Sequence, residues 1–154
     1  TDAAACLAAA LYQQGDYTTA ADLLTTVWST RKKRYGRQHP DVLTAQNNLA
    51  LMFGEQGMYE EAVKLQKEVL DIRKRVSGDA HPSTLTAAGN LALTLYNQGK
   101  FAEAAKLERS VLNIRREVLG EEHSETLTIA CNLARTYDQL GKFNDAETIE
   151  RKVL

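Results

Sequence analysis

Apolar residues recur along this chain at spacings of three and four, the pattern of helices that bury one face. Between about Asp41 and Gln56 the stripe is Leu49, Ala50 and Phe53, and between about Glu60 and Val76 it is Ala62, Leu65, Val69, Ile72 and Val76. Gly57 follows the first of these helices and suits a left-handed C-terminal cap. Gly78 ends the second, and Pro82 then falls in the first turn of the next helix, where a missing N–H costs nothing. The basic run Arg73, Lys74, Arg75 occupies a last turn, where cations favour the helix dipole.

This pattern repeats. Gly15, Gly57, Gly99 and Gly141 recur every 42 residues, as do Tyr17, Tyr59, Phe101 and Phe143, and Ala20, Ala62, Ala104 and Ala146. Leu7, Leu49, Leu91 and Leu133 share the period, followed by Ala8, Ala50, Ala92 and Ala134. A second glycine series (Gly36, Gly78, Gly120), the histidines His39, His81 and His123, and Arg31, Arg73 and Arg115 keep the same register. Each unit predicts two helices whose stripes one hairpin cannot bury, so neighbours must stack into a shared core. Small residues such as Ala50 and Ala62 allow helix axes to approach to about 8–10 Å. The expected fold is all-α, a superhelical solenoid of stacked antiparallel helix pairs whose concave face is lined by the first helices. Residues 1–154 read as a single repeat domain with a partial unit 1–36, units 37–78 and 79–120, and a partial unit 121–154. Because the last unit stops inside its second helix without a polar capping helix, a piece of a longer array is expected.

Composition narrows the function classes. The chain has 154 residues, a formal net charge of -1, 44% hydrophobic and 25% charged residues, which is ordinary for a soluble globular protein. Near-neutral charge gives no reason to expect nucleic acid or an anionic membrane as partner. No apolar run approaches the ~20 residues of a membrane span, and the start of the chain lacks the basic segment of a secretory signal, so a cytoplasmic location is expected. Only 2 Pro and 9 Gly serve the chain, which disfavours many short strands. Two cysteines, Cys6 and Cys131, stand nearly three units apart and are not expected to bridge. Three histidines placed one per repeat, on the order of 10 Å apart, cannot converge on one metal ion and are read as linker anchors and helix caps. No metal or cofactor is expected. No phosphate loop, zinc-protease motif or nucleophile–base pair is visible, so no catalytic residues are assigned.

The stretch NLALMFGEQGMYEEAVKLQKEVLDIRKRVSGDAHPSTL resembles the tetratricopeptide repeat, with small residues at 50 and 62, glycine at 57 and an aromatic at 59. The unit of 42 residues rather than the usual 34, with a G-x-x-H-P linker, is similar to the repeats of kinesin light chains and to arrays at the C-termini of signalling NTPases. Ser124 departs from the linker proline, and Cys6 departs from the asparagine found at 48, 90 and 132. The resemblance covers nearly the whole chain and implies an interaction scaffold, with asparagines of first helices touching cargo peptides. It also implies groove arginines that meet acidic motifs, which carries over to Arg73 and Arg115.

The residues alone mark three candidate constellations. The ladder Asn48, Asn90, Asn132 lies opposite the buried stripe, where amides can grip a peptide backbone, or alternatively bond a neighbouring helix. Arg31, Arg73 and Arg115 could pair with acidic side chains, or with an intramolecular carboxylate at a helix end. The groove floor comprises Asn47, Leu51 and Glu55, then Gly89, Leu93 and Asn97, then Cys131, Arg135 and Gln139, with Tyr12, Tyr96 and Asp138 nearby. Leu51 and Leu93 are apolar spots for one large side chain. Trp28 shares its register position with Leu70 and Leu112 and is read as packing. The leading expectation is a non-enzymatic adaptor that binds a peptide or protein partner, acidic with an apolar anchor, in the concave groove. The alternatives are a ligand-sensing array of a signalling NTPase and self-association through uncapped ends.

Overall fold

The computed structural model describes residues 2–153, which form eight α-helices and no strand among the described residues. They are α1 (Asp2–Gln13), α2 (Tyr17–Tyr35), α3 (Pro40–Glu55), α4 (Tyr59–Ser77), α5 (Pro82–Asn97), α6 (Phe101–Leu119), α7 (Ser124–Gln139) and α8 (Phe143–Val153). The odd-numbered helices are the first helices of the sequence units and the even-numbered ones the second. The observed α3 and α4 bounds lie within a residue of those read from the stripes.

The repeated residues make the helix ends. His39, His81 and His123 are N-caps whose Nδ1 atoms accept from the backbone N–H of Asp41, Ser83 and Glu125, at 3.2, 3.1 and 3.2 Å. Each ring therefore satisfies an N–H that the first helical turn leaves orphaned. At the turn inside each hairpin, Gly57 adopts φ +77°, Met58 N–H donates to Phe53 O at 2.8 Å and Gly57 N–H to Gly54 O at 3.0 Å. That pair of bonds is a Schellman closure, and it recurs in the other three hairpins. A side chain at position 57 would strain this backbone, which is why the glycine series is periodic.

The chain divides into two compact units, Thr1–Val76 and Ser77–Leu154. In the first, α1 packs on α2 and α2 on α3, while α3 and α4 are tied by the Gln46 side chain, whose Nε2 donates to Leu65 O at 3.1 Å. Its core gathers Ala8, Ala20, Ala21, Leu24, Leu49 and Met52, with Leu65 and Phe53 packed against it. In the second, α5, α6, α7 and α8 pack in sequence around Leu91, Leu95, Leu112 and Leu133. Ala20, Ala62 and Ala104 are fully buried and Ala146 is nearly so, as expected for residues that let helices approach closely. Each buried Leu contributes on the order of 1.5–3 kcal/mol of transfer free energy.

Two positions depart from the stripe reading. Val76 is 57% exposed, because it falls in the last turn of α4, past the helix's buried stretch of Ala62 to Ile72. Leu7 is 54% exposed although Leu49, Leu91 and Leu133 are buried in the same register, since among the described residues α1 has no helix before it.

Candidate functional site

In the first unit the side of α1 and α3 that carries Asn48 frames a cleft of about 180 Å³. Ala5, Ala8 and Ala9 of α1 keep one wall low, Leu51 and Met52 of α3 form the other, and Leu24 of α2 closes the floor. Asn48 and Tyr12 supply the polar groups at its margin. The Tyr12 hydroxyl donates to Glu55 Oε1 at 3.5 Å, and its ring lies 5.4 Å from that of Tyr17. The Glu55 charge is the chief reason that the phenol pKa is raised, because a second negative charge there is disfavoured. Asn47 is half-buried on α3 and outside the cleft's lining. Of the sequence candidates, the first unit thus brings Asn48 and Leu51 together with Tyr12.

Two repeats later the same register positions carry Gly89, Leu93, Tyr96, Glu108, Asn132, Arg135 and Thr136. In the second unit the Arg135 guanidinium lies over the Tyr96 ring at 4.7 Å from its centroid, and Tyr96 meets Phe101 edge-on at 5.1 Å. Arg135 therefore joins α7 to α5 by a cation–π contact on the first-helix side. Beneath it Glu108 is only 3% exposed and its Oε2 has no hydrogen-bond partner. Burial pushes this carboxyl above the ordinary Glu range, and the Thr136 hydroxyl and the Arg135 charge pull it partly back. Asn90 and Asn132 are half-buried and Leu93 is 43% exposed. Glu108 and Thr136 were not among the sequence candidates. The signal was present in the column Leu24, Gln66, Glu108, Glu150, where an apolar floor residue turns polar along the chain.

The arginines stand elsewhere, in or near the last turns of second helices. Arg115 has a side chain only 12% exposed; it donates from Nη1 to Glu125 O at 3.1 Å and lies 3.5 Å from Glu125 Oε2. It thereby clamps the first turn of α7, the intramolecular partnership open to it from sequence. Arg31 and Arg73 are half-buried, and burial lowers the Arg73 pKa. Cys6 and Cys131 are exposed free thiols. Trp28 packs against the first unit's core and donates from Nε1 to Gln46 Oε1 at 3.2 Å. Among the described residues no helix is long and apolar enough to cross a membrane.

The family model of the tetratricopeptide repeat matches residues 1–75, 42–117 and 83–154. A crystal structure of nearly identical TPR-like repeats of a putative kinesin light chain from Podospora anserina is 30% identical, with a TM-score of 0.91, over 99% of this chain and 72% of that one. A substituted variant of the same repeats gives the same values. BtubC (BKLC) from P. vanneervenii, 22% identical with a TM-score of 0.85 over 96% of this chain and 59% of that one, shares the fold. No relative was found among curated proteins. The 42-residue period, the paired helices closed by glycine, the buried small residues at the crossings and the overlapping matches along the whole length agree: the chain belongs to the tetratricopeptide repeat family.

Proposed function

We propose that this array, a protein–protein interaction scaffold by family, holds an extended peptide on the first helices of its units, in the manner of an adaptor similar to kinesin light chains. The observation that carries the reading is the cleft between α1 and α3, apolar at its floor and edged by an amide and a phenol. Its volume of about 180 Å³ suits one large apolar side chain, and Leu24, Leu51 and Met52 offer it dispersion contacts without a buried unpaired polar group. Asn48 can donate to and accept from the peptide backbone beside that anchor. In the second unit, Asn90, Asn132 and the exposed Leu93 offer the same pairing of amide and apolar surface, with Tyr96 under the Arg135 guanidinium. Arg135 supplies a positive charge for acidic peptide side chains. Arg73 and Arg115 contribute through the local field of their helix ends rather than as cleft walls.

The test is fluorescence anisotropy with acidic peptides that carry one Leu or Trp. Leu51→Ser is expected to weaken binding roughly tenfold by losing apolar contact, and Asn48→Ala by somewhat less. Equal affinity for both variants and the parent protein would defeat the proposal.

A further inference from the structure

A second cleft, of about 350 Å³, opens on the second unit where α6 meets the turn between α7 and α8. Its chemistry differs from that of the first-helix face. Lys106 and Arg109 project from one stripe of α6, Lys142 comes from the turn, and Tyr137 of α7 forms the back. Ala102 and Ala105 leave the α6 wall open.

Tyr137, Arg109 and Lys142 are held in place. Tyr137 is 3% exposed, and its hydroxyl oxygen accepts from Arg109 Nε at 2.8 Å and also from Arg109 Nη2. The Arg109 guanidinium carbon lies 5.5 Å from the Tyr137 ring centroid and Lys142 Nζ lies 5.8 Å from it. Lys142 is fixed through its backbone, which donates to Tyr137 O at 2.9 Å and accepts from Ala146 N at 3.0 Å. Two cations are thus drawn to one ring, with a third on the adjoining turn of α6.

Every polar side chain of this lining can donate: the remaining guanidinium N–H groups, two ammonium groups and the Tyr137 O–H, whose oxygen is already accepting from Arg109. No carboxylate lines the cleft, although Asp145 lies close enough to act on the Arg109 charge. A donor-only, cationic set complements a ligand that only accepts. A tetrahedral dianion fits better than a single carboxylate, because it offers acceptor oxygens to a fork and two point charges together. The volume exceeds that of a bare oxyanion, and the small Ala102 and Ala105 leave room for a carbon stem.

The set is particular to this place. Two repeats earlier the register positions are Thr18, Ala21, Asp22, Thr25, Phe53 and Met58, with no cation. One repeat earlier in sequence Lys64, Lys67 and Lys100 recur, but Glu60 stands for Ala102 and Leu95 for Tyr137, so the fork-fixing phenol is missing and an acid is added.

From this geometry we propose that the α6–α7–α8 cleft binds a phosphoryl group carried on a partner's serine or threonine side chain, a site separate from the first-helix face. The probes are N-acetyl-O-phosphoserine amide, inorganic phosphate and N-acetylglutamate amide, titrated while the Arg109 Nε–H and Lys142 backbone resonances are followed by NMR. Saturable shifts are expected with the phosphoserine compound, weaker ones with inorganic phosphate and none that saturate with the glutamate compound. Arg109→Gln should weaken phosphoserine binding by roughly tenfold or more, with Arg109→Lys intermediate because it keeps charge and loses the fork. Tyr137→Phe keeps the ring and removes the O–H, and should weaken binding while the helical circular dichroism stays unchanged. The exposed Arg151→Gln, one repeat on in register, should leave binding intact. The proposal fails if the glutamate compound binds as well as phosphoserine, if inorganic phosphate binds better than the phosphoserine compound, or if Arg109→Gln changes nothing.

Discussion

The first unit keeps its first-helix cleft apolar and places its polar network behind it, whereas the second unit does the reverse. In the first, Leu24 floors the cleft between Ala8 and Met52, while Trp28, Gln46, Glu68 and Arg37 are linked behind it. Gln46 donates from Nε2 to Glu68 Oε2 at 3.0 Å, and Glu68 pairs with Arg37, joining α2, α3, α4 and the linker before α3. In the second, the matching interior positions are Leu112 and Ala130, both 2% exposed. There the polar residues Glu108, Thr136 and Arg135 occupy the first-helix side. The lesson is that a repeat fixes where backbones cross, through alanine and leucine columns, and leaves the polar complement of each layer free. A peptide on the first helices of the first unit would meet an apolar socket, and one on those of the second a buried acid under a stacked arginine.

The strongest way to break this contrast is to move the acid. Leu24→Glu puts an unpaired carboxyl into a floor that is 6% exposed, and is expected to destabilise the first unit by at least about 3 kcal/mol in urea unfolding. A loss within experimental error would mean the two floors are interchangeable.

Next in size is Gln46→Ala, which copies Ala130 into the first unit. It strands the Trp28 N–H and removes a donor from Glu68, with an expected cost of about 2 kcal/mol. Circular dichroism during urea unfolding reads the change.

Glu108→Gln sharpens the comparison through pH. The folded carboxyl titrates above its unfolded value, so the native state holds its proton more tightly. That stabilising contribution is full below the ordinary Glu range and disappears as pH rises through the folded value. The parent protein should therefore lose stability relative to Glu108→Gln on going from acid to neutral pH. Parallel stability curves for the two proteins would show that Glu108 titrates normally.

The smallest effect is at Gly89, a helical glycine whose added Cβ would meet nothing within 4 Å. Gly89→Ala should raise stability by about 0.5–1 kcal/mol, read as a shift in the thermal midpoint. If the same change also weakens peptide binding, the open space at Gly89 belongs to the first-helix groove.

Much of this architecture is legible in the sequence. The glycine, histidine and alanine columns each answer a local demand: a left-handed cap, an orphaned first-turn N–H, a close crossing. Asn48 and Leu51 were legible as cleft residues because helical projection sets them opposite the buried stripe. The partner of Arg115 was not, since periodicity cannot tell a ligand's carboxylate from that of Glu125. Glu108 escaped because a charged residue in an amphipathic helix ordinarily faces water.

The sequence by itself therefore determined the repeat, the helix ends and the small-residue crossings, because those depend on neighbours within a few residues or on a period. Only the tertiary structure decided which polar side chains are buried and what they face. Glu108 meets Thr136, Arg109 meets Tyr137 and Trp28 meets Gln46 across helices, and such pairs are set by packing between turns that no local pattern encodes.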